Sequence, residues 1–255
     1  MNSIQALESN LIAFQNTTLQ QLSTIVELVT NLRKEPISNN RVISSCRDIS
    51  SHTSGIYRID PEFPFREPMT VFCDQQYEGG GWTVIQRRID GSVDFFRDWQ
   101  EYKRGFGSLH GEFWLGLEQI YRLTNVAPHE LVVLLEDFDG NTAVARYNQY
   151  RIEAESLNYT LVELGKCKPC SAGNSLSSHR NEQFSTYDRD NGKAKFNCAE
   201  AYRGGWWHFS CHHVHLNGKY LKGPLAEADD AQGIIWMKFR NSSLKASVMM
   251  IRPIK

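Results

Sequence analysis

The residues with the clearest chemical potential lie between Phe184 and Gly223. Asp188 and Asp190 stand one residue apart in a loop rich in Gly, Asn and Lys, with no apolar period that would bury them. A hard cation such as calcium needs roughly six to eight oxygens, which close carboxylates and the carbonyls of a tight loop supply. An EF-hand is excluded: with Asp188 at its first position, Gly192 falls where an oxygen ligand belongs and Ala199 where the bidentate Glu belongs. His208, His212, His213 and His215 are imidazoles of the kind that bind transition metals, but in a tryptophan-rich loop they serve equally as core or surface residues. Cys198 and Cys211 bracket twelve residues; a disulfide there would stabilise by ~3 kcal/mol on the chain-entropy estimate. Trp206 and Trp207, inside that loop, read as packing or as a platform for stacking sugars.

Asp188-x-Asp190-Asn191, Asn197-Cys198-Ala199, Trp206-Trp207, Cys211-His212 and Leu216-Asn217-Gly218-Lys219-Tyr220, in this order, resemble the C-terminal signature of fibrinogen-related domains. These are the domains of fibrinogen chains, ficolins, angiopoietins, tenascins and tachylectins. Gly111-Glu112-Phe113-Trp114-Leu115-Gly116-Leu117 resembles the family's central word. In its lectin branch, the resemblance implies calcium held by the side chains of Asp188 and Asp190 with the carbonyls of Gly192 and Ala194. It also implies a pocket for N-acetyl groups lined by Tyr202, His212 and an aromatic-Ala pair, beside a cis Ser210–Cys211 peptide. Ala231 matches the alanine, but Asp230 stands where the lectins carry tyrosine. A carboxylate facing an acetamide methyl costs desolvation. Asp230 therefore turns the pocket toward hydroxyl-rich or cationic ligands, or removes acetyl recognition.

The elements that must position these groups fall into two kinds. Ile4, Leu7, Leu11, Phe14, Leu22, Ile25, Val29 and Leu32 recur at helical steps, so residues 1–36 are expected to form a helix that pairs with copies of itself in a coiled coil. Packing on its own globular domain is the alternative. Pro36 and a polar run make 37–41 a linker. Residues 42–255 form the fibrinogen C-terminal-like domain that the resemblance implies. Its class is α+β: a disulfide-closed N-terminal part, a central antiparallel sheet with short helices, and a loop-rich part carrying the site. Ser54 to Ile59 and Met69 to Asp74 resemble the family's opening strands, closed by a Cys46–Cys73 bridge. Trp82 to Arg88, Glu130 to Phe138 and Thr142 to Tyr150 read as strands, the last two around an Asp139-Gly140-Asn141 turn, and Glu118 to Leu123 as a short helix. Cys167-Lys168-Pro169-Cys170 has no place in the family pattern. Without a βαβ context it is expected to be a local structural disulfide rather than a redox pair.

The chain has 255 residues, 41% hydrophobic and 22% charged, with net charge -1. That balance leaves no basic footprint for nucleic acid, and no apolar run reaches the length of a membrane span. An even set of cysteines and sequons at Asn16, Asn158 and Asn241 favour a secreted setting. The opening residues are no signal peptide, so either a longer upstream part carried the signal or the chain is cytosolic. No nucleophile elbow, Walker loop or zincin helix is present, which argues against an enzyme. The leading expectation is a secreted, calcium-dependent pattern-recognition lectin of innate immunity. It would bind acetylated or related carbohydrates on microbial surfaces and gain avidity by oligomerising. The alternative is an angiopoietin-like extracellular ligand or matrix protein that binds a receptor through the same domain.

Overall fold

The computed structural model describes residues 15, 18–24, 26, 42–222, 231–240 and 242–254, which divide into units of residues 1–41 and 42–255. In the first unit, residues 15, 18–24 and 26 are helical. Leu19, Leu22 and Val26, spaced for one helix face, are 65%, 54% and 63% exposed. The rest of the expected 1–36 helix, the 37–41 linker, Asn16, Asp230 and Asn241 lie outside the described residues.

The second unit is built on one antiparallel sheet. β1 (Gly55–Ile59), β2 (Met69–Asp74), β3 (Trp82–Arg88), β12 (Ala246–Pro253), β6 (His129–Glu136), β7 (Thr142–Ile152) and β8 (Leu161–Leu164) lie side by side in that order. β4 (Phe106–Gly107) pairs with β5 (Phe113–Trp114), β5 also pairs with β3, and β9 (Cys167–Cys170) pairs with β7. Alternation sets the burial of β2, where Met69, Val71 and Cys73 face the core. β3 is buried almost throughout because it is central: β12 covers one edge, while β2 and β5 share the other. The C-terminal β12 also sits between two strands, and Met249, Met250 and Ile251 are fully enclosed. The hairpin strand ends at Glu136 and does not run to Phe138. Asp137 instead turns its carboxylate onto the turn, accepting from Asp139 N at 3.0 Å and Asn141 N at 2.8 Å.

Helix α1 (Trp99–Arg104) starts at Asp98, which accepts from Glu101 N while Glu101 reaches back, a capping box. α2 (Leu117–Val126) buries Leu117, Ile120 and Leu123 and packs on β7. It extends beyond the expected Glu118 to Leu123 at both ends. Trp206 and Trp207 are both fully enclosed. Trp207 packs on Trp114 and Phe184, and its indole N–H donates to the Tyr159 carbonyl at 2.8 Å. That burial removes the sugar-stacking alternative for the pair.

Three disulfides join Cys46 to Cys73, Cys167 to Cys170 and Cys198 to Cys211. The first clips β2 to the domain's opening turn, where Gln75 Nε2 donates to the Cys46 carbonyl at 2.8 Å and Gln75 Oε1 accepts from Gly81 N at 2.8 Å. Gly80, at φ 76°, lies where a Cβ would strike the Gln75 backbone, so the Gly79-Gly80-Gly81 stretch makes a close chain crossing. The Cys46–Cys73 bridge spans a separation of 27 residues. Replacing both cysteines by alanine is expected to lower the unfolding free energy by about 3–4 kcal/mol on the chain-entropy estimate. A guanidinium titration reads this directly, and a change below ~1 kcal/mol would contradict it.

Candidate functional site

The aspartate loop is fixed at both ends. Ser185 bridges Trp206, Thr186 bridges Arg189 across a tight turn, and Asn191 Nδ2 donates to the Phe184 carbonyl at 2.7 Å. Further on, Asn197 caps the short helix α3 (Cys198–Ala201), accepting from Ala199 N and Glu200 N. The same side chain donates back to the Thr186 and Tyr187 carbonyls at 3.0 and 2.9 Å, closing the loop on itself. Asp188 Oδ1 accepts from Trp99 N at 3.0 Å and Thr186 Oγ1 at 2.6 Å; Asp190 Oδ1 accepts from Gly192 N at 2.9 Å. Both aspartates are exposed, and Gly192 and Ala194 are half-buried. An exposed pair of carboxylates, each oriented by donors to one oxygen, on a loop otherwise offering carbonyls, fits a hard cation such as calcium. Among the described residues no three His, Cys, Asp or Glu are placed to hold a metal, so the histidines form no transition-metal centre there.

The predicted pocket residues meet beside this loop. Lys193 N donates to the Phe209 carbonyl at 3.2 Å, joining the loop to the segment that enters the cis Ser210–Cys211 peptide. α3 leads into Tyr202, and the Cys198–Cys211 disulfide brings Tyr202 to His212, with ring centroids 4.8 Å apart in an edge contact. His212 Nε2–H donates to the Ala231 carbonyl at 3.1 Å, so Tyr202, His212 and Ala231 are neighbours. Ser210 is exposed and Cys211 half-buried. β10 (Val214–His215) and β11 (Ile235–Trp236), which follow these residues, pair in a separate two-stranded sheet.

His208, His212 and His215 stack with centroids 4.8–5.6 Å apart. Each donates from Nε2 to a backbone carbonyl, of Gly204, Ala231 and Tyr202, and each buries an Nδ1 without a partner. Burial pushes His208 down to about 4 and His212 to about 3, the latter helped by neighbouring imidazoles, and holds His215 well below the ordinary range. His179 braces the backbone on either side of these residues. Its Nδ1–H donates to the Trp207 carbonyl at 2.8 Å, and Nε2 accepts from His213 N and Val214 N at 3.2 and 3.1 Å. Nothing in its sequence neighbourhood announces this role.

Next to the aspartate loop lies a surface that sequence reasoning missed. Phe96 meets Tyr187 at 4.7 Å, and the Arg203 guanidinium lies 4.2 Å over the Phe96 ring. Tyr187 is 39% exposed. Beside these side chains opens a concavity of about 370 Å³ between Gly91–Phe96 and Gly218–Tyr220, with Arg203 on its rim. These residues come from segments some hundred positions apart, so no local signal could group them.

The family of the C-terminal globular domain of fibrinogen beta and gamma chains matches residues 42–254. The chain belongs to this fibrinogen-like family. Human Angiopoietin-related protein 6 is 45% identical over 223 residues, 87% of this chain and 46% of its own length. The mouse Angiopoietin-related protein 6 is 47% identical over 192 residues, 74% of this chain and 42% of its own length. The chain thus spans under half of these curated relatives. Among solved structures, the fibrinogen-like globe domain of human ANGPTL2 is 45% identical with a TM-score of 0.79, covering 83% of this chain and 99% of that one. Lamprey fibrin D-dimer, complexed with the peptide Gly-His-Arg-Pro-amide, is 31% identical with a TM-score of 0.74, over 98% of this chain and 89% of its own. Within this fibrinogen-like domain, the sequon residue Asn158 sits in a left-handed conformation. Its side chain bonds Gln183 and Arg189, with Nδ2, the atom a glycan would join, donating to Gln183.

Proposed function

We propose that this chain is a secreted, non-enzymatic recognition protein of the angiopoietin-related kind, whose fibrinogen-like domain binds a cell-surface protein. The observation that carries this reading is the 45% identity to human Angiopoietin-related protein 6 across 87% of the chain. The Phe96–Tyr187–Arg203 surface supports it, because aromatic and arginine anchors beside a shallow concavity are what protein hot spots are made of. Replacing Phe96 and Arg203 together by alanine is expected to weaken binding to cells at least about thirtyfold, one hot spot's worth. Unchanged affinity in a titration would move the interface elsewhere. Residues 1–36 are proposed to pair with copies of themselves and 37–41 to link them to the domain, which multiplies a weak site by avidity.

The relatives displace the calcium-dependent lectin from first place. It keeps one specific support, the meeting of Tyr202, His212 and Ala231. On an N-acetylglucosamine resin with calcium the protein is expected to flow through. Retention in calcium with release by EDTA or free acetylated sugar would restore the lectin reading. Calcium belongs to both readings, held by Asp188 and Asp190 with the carbonyls of Gly192 and Ala194. Saturating calcium is expected to stabilise the domain by about 2–3 kcal/mol at a hundredfold excess over Kd. Asp188→Asn is expected to abolish that gain in a thermal melt; an equal gain in the variant would place calcium elsewhere.

A further inference from the structure

We infer that the Cys167–Cys170 disulfide is a thiol-exchange site, open to reduction by a dithiol while the domain stays folded. Each of the other two bridges keeps at least one sulfur enclosed, with Cys46 and Cys73 both buried and Cys198 buried opposite the half-buried Cys211, whereas Cys167 and Cys170 are both only partly buried and Lys168 and Pro169 between them are exposed. The bridge lies on β9, whose one strand partner among the described residues is β7, so an attacking thiolate reaches it from the edge away from β7. It closes a sequence separation of 3, against 27 and 13 for the other two. A ring that small removes the least freedom from the unfolded chain, so losing it costs the fold least.

The chain beyond it is held without the bridge. Ser171 Oγ accepts from Val144 N at 2.9 Å, Ala172 N donates to the Val144 carbonyl at 3.0 Å, and Trp236 Nε1–H donates to the Ala172 and Gly173 carbonyls. Tyr147 and Asn174 add a side-chain bond at 3.0 Å. Opening the disulfide therefore leaves the segment docked.

Lys166 and Lys168 flank Cys167, both exposed and without an ion pair among the described residues. Two cations favour a thiolate there, which makes Cys167 the better leaving sulfur. One thiolate of the incoming dithiol attacks Cys170 Sγ, the Sγ–Sγ bond breaks, and Cys167 leaves as thiolate and takes a proton. The dithiol's second thiolate then attacks its own mixed disulfide and releases Cys170, which is protonated in turn. The pair gains two electrons and two protons, and the dithiol becomes a disulfide.

The test is a dithiothreitol titration of the intact chain without denaturant, with released thiols alkylated and mapped by mass. Cys167 and Cys170 are expected to be labelled at least tenfold faster than the other four, with unchanged circular dichroism. Charge reversal by Lys166→Glu with Lys168→Glu is expected to slow that labelling several-fold. A Cys167→Ser/Cys170→Ser variant is expected to melt within a few degrees of the parent. Simultaneous labelling of all six cysteines, loss of the native spectrum on labelling, or a rate indifferent to the lysine substitutions would overturn the assignment.

Discussion

Glu112→Gln is expected to destabilise the domain by about 3–5 kcal/mol, the cost of breaking a buried ion pair from one side. Glu112 is fully enclosed and accepts four backbone N–H groups. Ile89, Asp90 and Gly91 reach Oε1 at 2.7, 3.1 and 3.0 Å, and Val93 reaches Oε2 at 3.1 Å. Arg88, equally buried, brings its Nε to 3.6 Å from Oε1 and donates through Nη1 to the Leu216 and Gly218 carbonyls at 3.2 and 2.7 Å. One carboxylate thus ties the 89–93 turn to β5, and its arginine ties the 216–218 turn to β3. An amide keeps the shape, but its NH2 faces a donor and Arg88 is left as an uncompensated buried charge. A melting temperature lower by roughly 10 °C follows for a domain of this size. Since these turns line the concavity beside Phe96, binding should fall with it. Converting Arg88 to Met in the same chain should recover part of the loss. A Glu112→Gln melt within ~2 °C of the parent would show that the pair is not the brace described.

Mild acid is expected to unfold the domain well above the ordinary carboxylate range. His129, His179, His208 and His215 are buried to within 4% exposure. Burial pushes His129 and His208 down to about 4, His179 to about 3, and His215 well below the ordinary value. In the unfolded chain each titrates near 6.5. Below about pH 6.5 the unfolded state therefore binds more protons than the folded one, and linkage makes stability fall as pH falls. The loss is absent above that pH, and for His129, His208 and His179 it stops growing once the folded values of about 4, 4 and 3 are passed. Each pH unit in the window costs up to about 1.4 kcal/mol per histidine, so the four together approach a typical domain stability within two units. Guanidinium midpoints between pH 7.5 and 4.5 should drop steeply below 6.5, and a His215→Asn variant should lose about one proton of slope. A flat profile down to pH 4.5 would mean that these imidazoles are not held neutral.

Much of this architecture is visible in residue spacing. The β-branched run within Trp82 to Arg88 marks a strand, and the absence of an apolar period around Asp188 and Asp190 marks an exposed loop. Spacing is silent where partners are distant in sequence. β12 becomes central because residues 82–88 and 129–136 close around it, and Ser247, Arg252 and Pro253 interrupt any local strand pattern. Asp188 takes its orienting N–H from Trp99, 89 residues away. His179 reads as an ordinary loop residue until Val214 donates to it. Cys167-x-x-Cys170 gives a disulfide without saying that it lies on a sheet edge, because that depends on β7. The resemblance to fibrinogen-related domains supplied the long-range order that spacing lacks, including the meeting of Tyr202 with His212. It did not separate a sugar-binding domain from a protein-binding one, a choice that the proposed function draws from the identity to human Angiopoietin-related protein 6.

The most direct measurement is saturation binding of the intact, labelled chain to cells, before and after surface proteolysis, with and without free N-acetylglucosamine. A protein receptor predicts saturable binding that proteolysis removes and the sugar leaves unchanged. Binding that survives proteolysis and is competed away by the sugar would contradict the account and identify the domain as a lectin.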